Sequence, residues 1–475
     1  MMDGAGGAEP RRVLFVTGRL AEPALRRILS DMAPPFDYDV AVLRITVAAL
    51  MTTTWIARHL EDRDVPPGTD LIVIPGLCEG EPQPIGEKLG VRVEKGPKDL
   101  REIPGYFGRA AAARHYGEWD IEIIAEINNA PRLTRAVLAA EAEYFRASGA
   151  DVIDIGCTPG LAFPALGDVV REFVAGGMHV SVDTFDPDEI RTAVAAGAEL
   201  VLSVNGSNID VAHDLAGTGA RVVVVPDLGG ALDTLEPSLE KLARWSVPYL
   251  IDPILEPIGF GFMASLERYA EVRRRYPDAE MLMGIGNLTE LTSADSTGVN
   301  AMMIAVCQEL RVRAVLTTEV IPWARGAIRE VDVARRLMHY AITQHTIPKG
   351  VDDRLVTVKD PAVLTFTEQE LRALQAEITD PNFRIFTDRD GITVLNNERF
   401  IRSTDVINLG TLFEQLNVNE ATHAFYLGKE LARASLAVIL GKTYRQEGTL
   451  SWGYLTPPDE RRAEHVRLTQ RPDET

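Results

Sequence analysis

The chain has 475 residues, of which 46% are hydrophobic and 25% charged, the usual balance of a globular protein with several domains. Acidic residues (69) outnumber basic ones (49), and the formal net charge is −20. This charge argues against sequence-independent nucleic-acid binding and against docking on anionic lipid, so we expect no nucleic-acid or membrane partner. Three widely spaced cysteines and the lack of a bilayer-length apolar run are typical of a cytoplasmic protein.

Residues 1–108 are predicted to form a small α/β domain. Short apolar runs at 13–16, 38–43 and 71–74 are typical of buried strands, and a helical pattern follows the first of them. Residues 82–104 are rich in proline, glycine and charge, which predicts a linker that leaves this domain.

Residues 112–348 alternate strand and helix patterns without a break. Eight strands with helices between them match the count and size of a (β/α)8 TIM barrel, whereas the alternative, a doubly wound sheet, would need fewer strands. The predicted strands are residues 121–127, 151–155, 179–182, 200–204, 221–225, 248–251, 281–284 and 314–317.

A carboxylate or an amide follows each predicted barrel strand. On a barrel the carboxyl ends of the strands meet at one mouth, so these side chains are predicted to face a common ligand. Carboxylates accept paired hydrogen bonds and amides both donate and accept, which suits a ligand with several N–H groups at least as well as a metal. In chain order the residues are Asn128, Asp154, Asp183, Asn205, Asp227, Asp252, Asn287 with Glu290, and Glu319.

Residues 350–475 change pattern and are predicted to form a separate α+β domain. Strand-like runs at 354–358 and 383–387 precede a hairpin in which Asp390-Gly391 leads into residues 392–395. An apolar face over 422–440 predicts a long helix. The sequence leaves open whether this domain caps the barrel, binds part of a substrate or makes a dimer, and we expect a homo-oligomer, namely a dimer.

Four segments of the barrel region resemble the pterin-binding barrels, a superfamily of dihydropteroate synthases and folate-type methyltransferases. They read INNAP (127–131), GADVIDIG (149–156), SVDT (181–184) and DP (252–253) with GFG (259–261). Three further segments, 286–290, 295–300 and 316–319, are similar to dihydropteroate synthase-related proteins of methanogens and methylotrophs. Those proteins carry extra domains on both sides of the barrel and are associated with tetrahydromethanopterin biosynthesis.

The resemblance implies a transferase in which an arylamine displaces pyrophosphate from 6-hydroxymethyl-7,8-dihydropterin pyrophosphate. Asp183 and Asp252 would accept hydrogen bonds from the aminopyrimidine edge of the pterin. Asn128 would stand beside Mg²⁺, the implied cofactor, and the pyrophosphate, so it is the predicted metal ligand and the third predicted catalytic residue. The other predicted substrate-binding residues are Asp154, Asn205, Asn287, Glu290, Glu319 and Arg325.

The chain departs from ordinary dihydropteroate synthases in three loops. Their Ser-Arg-Lys after strand seven is replaced by residues 286–288, and their His motif after strand eight by 317–319. Their Asn-Asp after strand four is replaced by 202–203, which leaves either Asn205 or Asn208 to supply the amide. Because a Lys and an Arg are missing, the predicted arylamine is not p-aminobenzoate. We expect the bulkier 4-(β-D-ribofuranosyl)aminobenzene 5′-phosphate, whose phosphate would contact Arg325.

Two other functions stay open. Asn287 matches an asparagine that contacts the pterin in the methyltransferases of the superfamily, which would imply methyl transfer from a reduced pterin to a corrinoid. The chain lacks the cobalamin-binding Asp-x-His-x-x-Gly motif that would support this function directly. The loss of the basic residues also leaves open a non-catalytic pterin-binding protein.

Overall fold

The computed structural model describes residues 10–109, 116–227, 229 and 231–456. Their strands form three sheets, which lie within residues 1–108, 112–348 and 350–475. The chain divides into two compact units, one with the residues up to Trp119 and Arg336–Pro348, the other with Asp120–Arg335 and the residues from Lys349 onward. Because these units follow a different division, the three domain boundaries stay a prediction.

The N-terminal sheet is parallel and contains the three predicted strands and a fourth. Its strands are β1 (Arg12–Gly18), β2 (Asp37–Leu43), β3 (Leu71–Ile74) and β4 (Arg92–Lys95), in the order β2–β1–β3–β4. Its helices are α1 (Glu22–Met32), α2 (Thr53–His59), α3 (Gln83–Leu89) and α4 (Ile103–Tyr106). The linker predicted at 82–104 is therefore wrong, because Ile85 on α3 and Val93 on β4 are part of the core of this sheet.

The second sheet confirms the predicted barrel in strand number and position. Its strands are β5 (Glu122–Ile127), β6 (Val152–Gly156), β7 (His179–Asp183), β8 (Leu200–Val204), β9 (Arg221–Val224), β10 (Tyr249–Ile251), β11 (Leu282–Gly284) and β12 (Ala314–Thr317). They pair in parallel in the order β10–β9–β8–β7–β6–β5–β12–β11. One isolated parallel bridge, between Ile251 and Met281, joins the two edge strands, so the barrel is nearly closed.

A helix follows each barrel strand, and capping residues fix where two of these helices begin and end. Thr134 and Asp186 accept hydrogen bonds from backbone N–H groups of the first helical turns, and Gly149 and Gly197 end their helices in the left-handed conformation. The helices are α5 (Arg135–Ser148), α6 (Leu166–Ala175), α7 (Pro187–Ala196), α8 (Val211–Asp214), α9 (Leu235–Trp245), α10 (Phe262–Arg275), the short α11 (Gly286–Thr289), α12 (Ser296–Leu310) and α13 (Ala327–Thr343).

The barrel interior changes from apolar to polar along the strands. Buried side chains from seven strands, among them Ile124 and Val152, form one apolar cluster. Two residues further along β5 and β6 the paired residues are Glu126 and Asp154, and Asp154 in turn pairs with Ser181 on β7. Because side chains alternate along a strand, these polar residues share the inner face with the cluster and lie nearer the mouth.

The C-terminal sheet is antiparallel and confirms the predicted hairpin and long helix. It contains β13 (Arg384–Thr387), β14 (Ile392–Leu395) and β15 (Phe400–Ser403), with helices α14 (Glu368–Glu377), α15 (Leu409–Leu416) and α16 (Ala421–Leu440). The strand predicted at 354–358 is wrong, since the Arg354 carbonyl accepts a hydrogen bond from Tyr454 N–H in a turn instead. Neither α16 nor any other described helix is long and apolar enough to cross a membrane.

Candidate functional site

Three carboxylates from neighbouring strands lie together inside the barrel, and we call Glu126, Asp154 and Asp183 the acidic side. Burial, with the charges of Asp183 and Glu290, raises the pKa of Glu126 to about 8. Burial, then the charges of Asp183 and Glu126, raises the pKa of Asp154 well above its ordinary value. Burial also raises the pKa of Asp183. No lysine or arginine is among the described partners of these groups, so the acidic side has a deficit of positive charge.

Glu126 is a site residue that the sequence did not predict. It lies inside β5, in an apolar run whose pattern predicts only a buried strand. A glutamate at an inward position of such a strand could have indicated a functional residue, because charged residues are rarely buried without partners. A Cβ atom added to Gly156 would lie 2.5 Å from Glu126 Oε1 and 3.1 Å from the Ile127 carbonyl oxygen, so the glycine on β6 leaves room for this carboxylate over the neighbouring strand.

A hydroxyl group holds one carboxylate oxygen of each of Asp154, Asp183 and Asp252. The hydrogen bonds are Ser181 Oγ to Asp154 Oδ1 (2.6 Å), Ser203 Oγ to Asp183 Oδ1 (2.7 Å) and Tyr269 OH to Asp252 Oδ1 (2.5 Å). The second oxygen of Asp154 is buried and has no hydrogen-bond partner among the described residues. Each carboxylate is thus fixed through one oxygen, and its second oxygen is left to accept from a ligand or to carry a proton.

Asp252 directly follows β10, and unlike the acidic side it has a nearby positive charge and two hydrogen-bond donors that oppose the effect of burial on its pKa. Burial raises its pKa to about 6, while the hydrogen bonds from Tyr269 and from Ile254 N–H (2.7 Å) and the charge of Arg268 act in the opposite direction. Its Oδ2 lies 3.9 Å from where a Cβ atom on Gly284 would be. Oδ2, for which no hydrogen bond is described, therefore lies over a position without a side chain.

Two irregular backbone positions supply donors to these aspartates. Ser203 and Ile254 both have φ of 67°, a left-handed conformation that is rare for non-glycine residues and strained for a β-branched one. Ser203 lies where the register of β8 shifts between Val201 and Val204. The Ser203 hydroxyl donates to Asp183 and the Ile254 N–H donates to Asp252, so the irregular backbone directs both donors at the site.

Asn128, Thr318 and Glu290 lie next to Glu126. The Thr318 hydroxyl donates to Asn128 Oδ1 and lies 3.3 Å from the Glu126 carbonyl oxygen. Asn128 also hydrogen-bonds the Glu126 side chain, which lowers the pKa of that carboxyl, and burial raises the pKa of Glu290. The predicted residues Asn128 and Glu290 are thus brought together with the acidic side.

Asn287 and Asn205 have local partners at the barrel mouth. Asn287 is exposed, and its Nδ2 donates to the Leu255 carbonyl (3.1 Å), which ties the loop after β11 to the loop after β10. Asn205 is buried, and its Oδ1 accepts from the backbone N–H (2.9 Å) and hydroxyl (2.6 Å) of Ser207. Asn205 therefore shapes its own loop through its side-chain oxygen.

Glu319 and Arg325 lie outside the group formed by the other residues. Glu319 accepts hydrogen bonds from the Tyr144 hydroxyl on α5 (3.0 Å) and from Ile328 N–H at the start of α13 (3.2 Å). Its carboxylate is thus occupied by helix contacts. Arg325 is exposed in the turn that precedes α13, in the loop after β12.

The segment 295–300, which contributed to the resemblance, has a structural role. Ser296, Thr297 and Asn300 each donate a hydrogen bond of 2.7 Å to the carboxylate of Glu330 on α13. Glu330 is 2% exposed, and the Tyr454 hydroxyl donates to it as well (2.8 Å). These hydroxyl and amide groups therefore supply the hydrogen bonds that the buried Glu330 carboxylate needs, and their described hydrogen bonds go to this carboxylate.

The residues around Asn128 fit Mg²⁺ only as part of a complex with a ligand. Within the described part of the chain, no three His, Cys, Asp or Glu side chains are grouped to hold a metal ion. Mg²⁺ usually keeps several waters and binds one or two protein oxygens together with phosphate oxygens. Asn128 Oδ1 accepts from Thr318 and has a second lone pair, so it fits as one such oxygen.

Two family models match parts of the chain. A model described as "Family of unknown function (DUF6513)" matches residues 11–98, which contain the N-terminal sheet. A model described as "Pterin binding enzyme" matches residues 131–229. This second match includes Asp154, Asp183 and Asn205 and ends before Asp252, so it covers part of the region with the predicted resemblance.

An uncharacterised protein of Methanocaldococcus jannaschii is 26% identical to the chain over 526 residues, with 92% of this chain and 99% of the relative covered. Among solved structures, dihydropteroate synthase from Thermus thermophilus is 21% identical over 45% of this chain and 91% of that one, with a TM-score of 0.37. Dihydropteroate synthase from Xanthomonas albilineans in complex with 7,8-dihydropteroate is 20% identical over 48% and 94% of the two chains, with a TM-score of 0.38.

Proposed function

We propose that the barrel is the catalytic domain of a dihydropteroate synthase-like transferase, which joins 6-hydroxymethyl-7,8-dihydropterin pyrophosphate to an arylamine. The observation that carries this proposal is the pair Asp183 and Asp252 at the ends of β7 and β10. Each is fixed by a hydroxyl through Oδ1 and keeps Oδ2 for a ligand. An aminopyrimidine edge offers the ring N–H and amino donors that such oxygens accept. The match of residues 131–229 to the pterin-binding enzyme family supports the same ligand.

The reaction would be a substitution at the exocyclic methylene of the pterin. The amine nitrogen forms a bond to this carbon, the bond to the pyrophosphate oxygen breaks with its electron pair on pyrophosphate, and the amine loses a proton to solvent. Mg²⁺, when bound, would offset the charge of the departing pyrophosphate. Asp183 and Asp252 would hold the pterin ring in place, and Asn128 would orient the pyrophosphate beside it, so positioning is the main task of the protein.

The proposed arylamine is 4-(β-D-ribofuranosyl)aminobenzene 5′-phosphate, which would place the enzyme in tetrahydromethanopterin biosynthesis. Burial raises the pKa of Glu126, Asp154, Asp183 and Glu290, and no lysine or arginine is among their described partners, so this part of the mouth would offer the carboxylate of p-aminobenzoate no cation. Arg325 is exposed in the loop after β12 and offers a guanidinium to a phosphate that extends away from the pterin. A dimer and a cytoplasmic location belong to the same proposal and rest on the sequence alone.

Methyl transfer from a reduced pterin to a corrinoid is the second candidate, because of Asn287. Its side chain is exposed on α11, the short helix after β11, next to the loop after β10 to which it is hydrogen-bonded. This position would let its Oδ1 contact a ring at the mouth. A corrinoid partner protein would have to supply the cobalamin site. A non-catalytic pterin-binding protein is the third candidate, and it would share the pterin contacts without turnover.

A competition assay tests these functions against each other. The protein is incubated with the activated pterin, Mg²⁺ and equal amounts of the two arylamines, and the products are measured by mass spectrometry. We expect the ribosylated product in excess, and Arg325→Lys should lower its yield more than the yield from a phosphate-free analogue. Exclusive use of p-aminobenzoate would refute the arylamine, while methyl transfer to a corrinoid without either product would favour the second candidate.

A further inference from the structure

We propose that Tyr269 is a positioning residue for pterin recognition, because its hydroxyl orients the Asp252 carboxylate so that Oδ2 is presented to the ligand. This inference rests on the proposed binding of a pterin by Asp252. Tyr269 lies on α10 and is fully buried, and its hydroxyl is 2.5 Å from Asp252 Oδ1. It would not touch the substrate and would act only through the aspartate.

Two donors converge on one oxygen of Asp252 and leave the other without a described hydrogen bond. The Tyr269 hydroxyl approaches Oδ1 from the helix, and Ile254 N–H approaches the same atom from the loop at 2.7 Å. Rotation of the carboxylate would have to break both hydrogen bonds, so its plane is fixed. Oδ2 then lies over Gly284, where an added Cβ atom would be 3.9 Å away.

The Tyr269 hydroxyl has a role that packing alone does not explain. A phenylalanine would fill the same buried space, whereas a buried tyrosine needs a partner for its hydroxyl, and here that partner is Asp252. Burial, then the charge of Asp252, raises the pKa of Tyr269 well above its ordinary value, so the hydroxyl stays protonated and stays a donor.

The groups that face Asp252 give its pKa a clear direction of change. The charge of Arg268 on α10 lowers the pKa of Asp252, and the charge of Asp183 on β7 raises it. Burial raises the pKa of the nearby Cys307 thiol on α12, so this thiol stays uncharged. The hydrogen bond from Tyr269 is the largest influence that favours the ionised form of Asp252. We therefore expect loss of this hydrogen bond to raise the pKa of Asp252 further.

A pterin that donates N–H groups to Asp252 needs the ionised carboxylate. Its affinity should rise with pH through the pKa of Asp252 and level off above it. In Tyr269→Phe this rise moves to higher pH, and the lost orientation weakens binding about three- to tenfold at neutral pH. The loss of affinity should be larger at pH values below 7 than at pH values above 7.

The test is calorimetric titration of the full chain with 6-hydroxymethylpterin from about pH 5 to about pH 9. It compares the natural protein with Tyr269→Phe and with Tyr276→Phe, a matched change at the end of the same helix. We expect an upward shift of the pH midpoint in Tyr269→Phe alone. An unchanged midpoint, or an equal loss of affinity at every pH, would overturn the positioning role and leave the proposed function intact.

Testing Tyr269→Phe in a variant of Asp252 distinguishes the positioning role from a general effect on packing. In Asp252→Ala the acceptor of the Tyr269 hydroxyl is gone, so adding Tyr269→Phe should change neither the residual affinity nor its pH dependence. A further loss of equal size in this background would show a packing effect and overturn the inference. Absence of any pterin binding by the folded natural protein would instead refute the proposed function on which the inference rests.

Discussion

The two sides of the barrel mouth carry similar acids in different surroundings. The acidic side gathers Glu126, Asp154 and Asp183 with two serine hydroxyls and no described cation. On the other side, which we call the Asp252 side, one carboxylate has a tyrosine hydroxyl, a backbone N–H and the nearby charge of Arg268. The Asp252 side is therefore a prepared hydrogen-bond acceptor, whereas burial raises the carboxyl pKa values of the acidic side and no described cation opposes this.

The difference also shows which side is maintained at a cost to stability. Asp154 is fully buried, and one of its oxygens has no partner among the described residues. A buried polar atom without a partner costs about 1–3 kcal/mol. Such a cost is typical of sites that bind a ligand, because packing alone would favour an apolar side chain.

The largest expected effect tests whether both sides contact the same ligand. Asp183→Ala and Asp252→Ala each remove one acceptor and should each weaken pterin binding about ten- to a hundredfold. Calorimetry with a pterin measures both, and Asp210→Ala, which removes an exposed acid paired with Lys241, is the control. Loss in only one variant would confine recognition to that side, and unchanged affinity in both folded variants would contradict pterin recognition by these residues.

The next effect concerns the glycines that face the two sides. Gly156→Ala would place a Cβ atom 2.5 Å from Glu126 Oε1, while Gly284→Ala would meet only Asp252 Oδ2, at 3.9 Å. We expect Gly156→Ala to lower the free energy of unfolding by about 1–3 kcal/mol through overpacking, and Gly284→Ala to change it little. Urea unfolding measures both.

A double-mutant cycle identifies the cause of the Gly156 effect. In the Glu126→Ala background only the Ile127 carbonyl oxygen, 3.1 Å from the added Cβ atom, remains in close contact, so Gly156→Ala should cost less than in the natural protein. An equal cost in both backgrounds would mean that another contact requires the glycine. In that case the pairing of Glu126 with Gly156 would not be the reason for the glycine on β6.

The sequence predicted the barrel and most of the residues around its mouth. Apolar β-branched runs such as 152–155 and 200–204 predict buried strands, and the acids that follow such runs must lie at the carboxyl end. The sequence could not tell which way a side chain turns after the strand. For this reason Asn205 and Glu319 were predicted with Asp183, although their oxygens have local partners.

Tyr269 and Glu126 were not recognised from the sequence, because each occupies a position whose pattern is that of an ordinary core residue. Tyr269 is 17 residues from Asp252 and lies on the buried face of a helix, where an aromatic residue predicts packing. Glu126 interrupts an apolar strand by one residue. The strained conformations of Ser203 and Ile254, which direct two donors, have no sequence signature because neither residue is a glycine.

The smallest expected effect is a change in how stability depends on pH. The pKa of Asp154 is raised in the folded protein, so the folded state binds this proton more tightly than the unfolded state. Its contribution to stability is therefore present at pH values below the ordinary aspartate pKa of about 3.9 and is lost as the pH rises through the folded pKa. Asp154→Asn should flatten this part of the stability curve, because the amide does not titrate.

Urea unfolding at a series of pH values, from mildly acidic to mildly alkaline, measures this change for the natural protein and for Asp154→Asn. Ser181→Ala is the matched variant: it removes the hydrogen bond to Asp154 Oδ1 but keeps the carboxyl group. The Ser181 hydroxyl lowers the pKa of Asp154, so its loss should make the decline with pH at least as steep as in the natural protein. Parallel curves for all three proteins would mean that Asp154 titrates alike in the folded and unfolded states, and the acidic side would then differ from the Asp252 side only in its number of carboxylates.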